Sequence, residues 1–158
     1  GSCHARHGSH RLRLQGRCYP TPAENTQQTA PVQQEQTQTE KALALINTFA
    51  TGDTDTARSL LADGYIQHNL AYGTGADAFI GSVEYLTSAD VKTTVNNIRA
   101  FEDGDEVFLQ TIYNFAGAGE QIAFDIFRFG ENGKIAEHWD VMETIADQST
   151  WQNQNGKF

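Results

Sequence analysis

Apolar positions recur at helical spacing in the first part of the chain and alternate with polar ones in the second. Ala42, Leu43, Leu45, Ile46, Phe49 and Ala50 predict a helix over Thr37 to Ala50, which Thr51-Gly52-Asp53 ends. A short second helix follows, capped by Asp53 or Thr54, with Ala57, Leu60 and Leu61 inward and a turn at Asp63-Gly64. Tyr65-Ile66-Gln67-His68-Asn69 reads as a short strand or extended segment. Gly73 to Gly75 then lead into a third helix over about Ala76 to Leu86, with Phe79, Val83 and Leu86 facing inward. Four β-rich runs close the chain: Val91 to Phe101, Glu106 to Phe115, Gln121 to Phe129 and Lys134 to Glu143. Asp103-Gly104, Gly117-Ala118-Gly119 and Asn132-Gly133 separate them as turn signals, so antiparallel hairpins are expected. Helices first and a strand meander afterwards is an α+β pattern, with the helices packed on one face of the sheet.

The last hairpin carries the most chemistry. If Asn132-Gly133 is a two-residue type I′ turn, Glu131 faces Lys134, Asp125 faces Asp140 and Phe127 faces His138 on one side of the sheet. Arg128 then faces Glu137, and Ile126 faces Trp139, on the other side. A three-residue turn with a bulge would instead put Asp125 opposite Trp139 and dissolve the pair. Opposed carboxylates repel, and a sheet has little structural reason to place them together. In an apolar surround such as Phe127 and Phe129, two carboxyls hold a proton between them more readily than isolated ones do, which suits a general base near neutral pH. Arg128 and Glu137 read as a structural ion pair. His68 and His138, the only histidines from Thr37 onward, are candidates for assisting roles.

Charge narrows the partners. Up to Glu40 there are four Arg against three Glu, whereas from Lys41 onward seven basic residues face seventeen acidic ones. Such a domain repels phosphate backbones and anionic lipid, so neither nucleic acid nor a membrane surface is an expected partner. No run approaches the length and apolarity of a membrane span, which predicts a soluble protein. Its compartment stays open, because Gly1-Ser2 looks like the scar of a cleaved tag that could have replaced an export signal. Cys3 and Cys18 both precede the domain, which therefore has no thiol for nucleophilic or thiolate-metal chemistry. Neither the Cys3, His4, His7, His10, Cys18 set nor the two His and two Asp of the domain shows zinc or iron spacing, so no metal and no cofactor is expected. Residues 1–36, with all three prolines and a Gln/Thr-rich stretch, read as a disordered, tag-like leader; 37–147 form the domain; 148–158 make a polar tail.

Tyr65-Ile66-Gln67-His68-Asn69, Phe124-Asp125-Ile126-Phe127-Arg128-Phe129, Gly133-Lys134-Ile135 and Glu137-His138-Trp139-Asp140, in that order and spacing, resemble the SnoaL-like polyketide cyclase group of the nuclear-transport-factor-2-like superfamily. The resemblance implies an α+β cone, its curved antiparallel sheet packed with three N-terminal helices. It also implies a homodimer through the open sheet and cofactor-free acid-base chemistry in the pocket. The family's acidic residue after His-Trp falls on Asp140, and its early polar pocket residues fall on His68 and Asn69. Asp125 stands where many relatives carry a His, which shifts weight from cyclisation toward hydrolysis or isomerisation.

The expected function is thus an acid-base enzyme acting on a small apolar carbonyl compound, by aldol-type cyclisation or isomerisation. Asp125, Asp140, His68 and His138 are its catalytic candidates, and Tyr65, Asn69, Phe127, Phe129 and Trp139 contact substrate. An epoxide-hydrolase-like enzyme, or a non-enzymatic module for small-molecule binding or dimerisation, are the alternatives. Dimerisation is further expected from Val107, Leu109 and Ile112, read as sheet residues that three helices leave uncovered. The leader should be dispensable: limited proteolysis within it should leave the melting temperature within a few degrees, and a larger fall would place it on the domain.

Overall fold

The computed structural model describes residues 34–158. The expectation of a disordered leader therefore lies, up to residue 33, outside the described residues. Helices α1 (Gln38–Thr51) and α2 (Thr54–Leu60) precede β1 (Leu61–Gln67); α3 (Ala76–Ser88) precedes β2 (Thr94–Asp103), β3 (Glu106–Asn114), β4 (Glu120–Phe129) and β5 (Ile135–Thr144). The expected helices and meander are all present. The five strands form one mixed sheet in the order β1-β5-β4-β3-β2. The meander is antiparallel, and β1 adds to its β5 edge in parallel.

Local signals set the helix ends. The Thr37 hydroxyl accepts from the Glu40 N–H at 3.1 Å, a cap worth about 1 kcal/mol. Gly52 ends α1 at φ 74°, where a Cβ would stand 2.6 Å from Thr87 Oγ1 on α3, so this turn needs glycine for both conformation and space. Asp53 caps α2 through the Thr56 N–H. Contrary to expectation, Asp63-Gly64 does not reverse the chain. The strand runs on from Leu61, and the residues between Leu61 and Ile66 bulge out of register while only Ala136 intervenes on β5 between their partners Ile135 and Glu137.

Alternation along the strands gives the sheet two unlike faces. The inner face, under the helices, buries Val107, Leu109, Ala123, Phe127 and Phe129 with Leu45, Ile46, Phe79 and Val83. Val107 and Leu109 are thus core residues and not the uncovered surface expected of them. The outer face carries Phe108 stacked on Phe124 at 5.6 Å and tilted against Phe101 at 6.2 Å. Phe101, Phe124 and Val141 there are 60%, 42% and 72% exposed. Near its other end, where Ile112 and Ile122 are buried, the tail after Gln148 comes back onto the sheet. Gln110 donates to the Lys157 carbonyl at 2.9 Å, and Lys157 pairs with Glu143 at 2.9 Å.

The β4–β5 hairpin reaches the expected register by an unexpected route. Asp125 faces Asp140, Phe127 faces His138, Ile126 faces Trp139 and Arg128 faces Glu137. The turn itself is not two-residue. Gly130 pairs with Lys134 around a three-residue loop, closed by a 3.0 Å bond from the Gly133 N–H to the Gly130 carbonyl, with Gly133 at φ 75°. That turn alone would have put Asp125 opposite Trp139. The shift between Phe129↔Ile135 and Arg128↔Glu137 leaves Ala136 unpaired on β5, and this bulge restores the register.

The exposed aromatic strip predicts self-association by a second copy laid on the outer face. Light scattering at tens of micromolar should give a dimer that Phe124→Glu splits; a wild-type monomer would contradict it.

Candidate functional site

The strand alternation that buries the core also turns four polar side chains to the inner face: Gln67 from β1, Tyr113 from β3, Asp125 from β4 and His138 from β5. Asp140 joins them one pleat beyond His138, and Asn69 reaches it from the segment after β1. All of these but Asn69 floor a cavity of about 620 Å³ whose walls come from α1, α3, the β3–β4 loop and Met142. A cavity of that size suits a small molecule.

Hydrogen bonds fix most of the proton positions. The Gln67 amide nitrogen donates to Tyr65 Oη at 3.2 Å, and its Oε1 accepts from the Asn69 N–H at 2.9 Å. Oε1 also lies 2.7 Å from His138 Nδ1, so that ring nitrogen must be the one carrying hydrogen. His138 Nε2 lies 2.7 Å from Asp125 Oδ1, while Asp125 Oδ2 accepts from the Tyr113 hydroxyl at 2.9 Å. With Nδ1 already protonated, His138 and Asp125 hold one further proton between them, either as imidazolium and carboxylate or as imidazole and carboxylic acid. Asp125 and His138 are only 4% and 6% exposed. Low dielectric strengthens such a buried bond and makes each partner costly to remove alone.

Asp140 is different. Its Oδ2 accepts from the Asn69 amide at 2.9 Å, and among the described residues no group bonds its other oxygen. Around it the tyrosines are driven toward their protonated forms. Burial, then the charge of Asp125, holds the Tyr113 phenol well above its ordinary range. Burial, then the charges of Asp125 and Asp140, does the same for Tyr65, and burial followed by Asp140 raises Tyr72. Tyr113 is therefore a constant donor to Asp125.

Of the residues expected at the site, Asp125, Asp140, His138 and Phe127 line the cavity together. Asn69 holds Asp140. Tyr65 and Phe129, each 2% exposed, lie beneath the floor in the core. His68 and Trp139 are not brought to the cavity. Alternation turns both outward, where the rings stack at 4.9 Å and 4° and His68 Nε2 meets Glu137 Oε1 at 2.8 Å. Glu137 also accepts from Arg128 at 2.8 Å, and these bonds, that from His68 foremost, hold its carboxyl below the usual range. Gln67 and Tyr113 were missed. Parity with Tyr65 and Asn69 is a usable signal for Gln67, but nothing in the sequence shows the reach of Tyr113 to Asp125.

Among the described residues, Asp125, His138 and Asp140 could hold a metal ion, their ligand atoms lying within 4.8 Å of one another. Asp125 and His138 already meet as hydrogen-bonding partners, and a cation bound there would have to break that bond.

Tyr65 and Tyr113 give a pH prediction. Their phenols are held above the ordinary value of 10.0, so this contribution to stability is whole below that pH and is lost as the pH climbs above it. In an absorbance titration at about 295 nm, two of the five tyrosines should stay un-ionised until alkaline unfolding. Ionisation of all five with the far-ultraviolet circular dichroism intact would refute the buried network.

None of the curated proteins matches the sequence. Among solved structures the chain is similar to a nuclear-transport-factor-2-like protein from Cytophaga hutchinsonii: 17% identity, 70% of this chain and 94% of that one covered, TM-score 0.60. It is likewise similar to IdmH of Streptomyces antibioticus, a proposed polyketide cyclase, at 18% identity, 68% and 93% coverage and TM-score 0.55. An M. tuberculosis epoxide hydrolase of the LEH-like kind matches at 17% identity, 67% and 82% coverage and TM-score 0.59. At these identities the likenesses speak for the fold alone. The SnoaL-like domain pattern itself matches residues 42–138, from α1 to the histidine on the cavity floor, and the chain belongs to that family.

Proposed function

We propose that the cavity is the active site of a cofactor-independent acid-base enzyme that removes a proton from carbon next to a carbonyl group. The observation that carries this reading is the pairing, on one apolar-walled floor, of a carboxylate with a free oxygen and a second group that holds a transferable proton. Asp140 is the base. Its Oδ2 is steadied by Asn69, and the free oxygen takes the proton from the substrate carbon. The electron pair of that C–H bond forms the C=C bond of an enolate as the carbonyl π pair moves onto oxygen. The proton shared by His138 and Asp125 lies on the same floor, and giving up the bond between them passes it to that oxygen. Tyr113 and Gln67 keep the donor pair in place from either side. Returning the Asp140 proton to a different carbon isomerises the substrate, and attack of the enolate on a second carbonyl in the same molecule closes a ring. The likenesses to a proposed cyclase and to an epoxide hydrolase are compatible with acid-base chemistry in this fold.

Solvent-deuterium exchange into a panel of small enolisable ketones, followed by proton NMR, tests the first step without the natural substrate. Wild type should accelerate exchange for at least one member. Asp140→Asn should reduce that rate about 100-fold or more, and His138→Gln by a smaller factor. Exchange that survives Asp140→Asn unchanged would remove Asp140 as the base.

A further inference from the structure

The charges that face the cavity do not cancel. Asp125 and His138 share one proton and are together neutral in either arrangement, whereas Asp140 is a carboxylate whose one partner among the described residues is the uncharged Asn69 amide. Among the described residues no lysine or arginine lines the cavity. The guanidinium nearest in sequence to the floor, Arg128, sits on the outer face against Glu137. An uncharged ligand that filled this space would strip water from Asp140 and offer its charge no counterpart, which disfavours such a ligand. An anion would meet the same charge unscreened.

The rest of the lining favours a cation as well. Phe49, Phe115, Tyr72 and Tyr85 bring aromatic rings to the walls, with Phe49 edge-on to Phe115 at 5.8 Å. Tyr72 and Tyr85 are 49% and 74% exposed, so they stand where the cavity opens to solvent. Ring faces attract ammonium groups, most strongly where water is excluded. The domain's excess of acidic over basic residues, seventeen to seven from Lys41 onward, draws cations toward the opening and repels anions.

We infer that the cavity takes a ligand bearing a positively charged nitrogen, a protonated or quaternary amine, held between the Asp140 carboxylate and the aromatic wall. The inference rests on reading this cavity as the acid-base site and adds the charge of its substrate. A cationic nitrogen near the carbonyl would also stabilise the enolate that proton removal leaves behind.

Three probes of nearly one shape separate the charges: choline, its uncharged carbon isostere 3,3-dimethyl-1-butanol, and the anion 2-hydroxyethylphosphonate. Each is titrated into nitrogen-15-labelled protein in the millimolar range and followed by amide shifts. Choline should shift cavity residues with a dissociation constant at least about fivefold below that of the alcohol, and the phosphonate should shift none. Asp140→Asn, its spectrum otherwise native, should bring choline and the alcohol to equal affinity. Equal or tighter binding of the alcohol by wild type, a choline preference that survives Asp140→Asn, or choline shifts confined to residues away from the cavity would each overturn the inference. Ketone exchange that depends on Asp140 without any choline preference would sink the charge assignment and leave the acid-base reading standing. A choline preference with no exchange on any ketone would do the reverse.

Discussion

The hydrogen bond from His138 Nδ1 to Gln67 Oε1 closes the end of the parallel pair β1–β5, and the floor of the cavity is organised around it. Without it the imidazole could take either tautomer, and the shared proton on Nε2 would have no defined origin. With it, Gln67 Oε1 accepts from both the Asn69 N–H and His138 Nδ1, and the hydrogen bonds continue from His138 Nε2 to Asp125, where Tyr113 donates from the other side. Every member is buried or partly buried and none of the buried side-chain polar atoms among the described residues lacks a partner. Such a network is rigid because leaving any one group unpaired costs about 1 to 3 kcal/mol, more if it is charged.

That pairing also explains what His68 does. Gln67, His68 and Asn69 alternate in, out and in, so the middle residue grips the outer face while its neighbours hold His138 and Asp140. His68 is bonded to Glu137 and stacked on Trp139, the two residues that flank His138 on β5. The strand end is fastened on both sides of the sheet. A histidine expected to do chemistry instead ties the chemical groups to the frame.

The fold was readable because its signals are local. Helical periodicity, the Gly52 and Asp53 caps and three glycine-bearing turns set the elements, and alternation set their faces. The opposed carboxylates followed from alternation plus a register, and the register was right although the turn was not the one assumed. Two errors of parity cancelled: a loop longer by one residue, and a bulge at Ala136 that no residue type announces. What could not be read was non-local. The parallel docking of β1, the aim of Tyr113 across the sheet and the outward turn of His68 depend on how distant strands curl against each other.

The Ala136 bulge makes the site a matter of counting. Were β5 to pair across the same three-residue turn without an extra residue taken up at Ala136, His138 and Asp140 would turn to the outer face and Glu137 and Trp139 would enter the cavity. The hairpin therefore keeps its site through a change of length only where the turn and the bulge together absorb it, which makes the slack at Ala136 part of what aims the cavity floor.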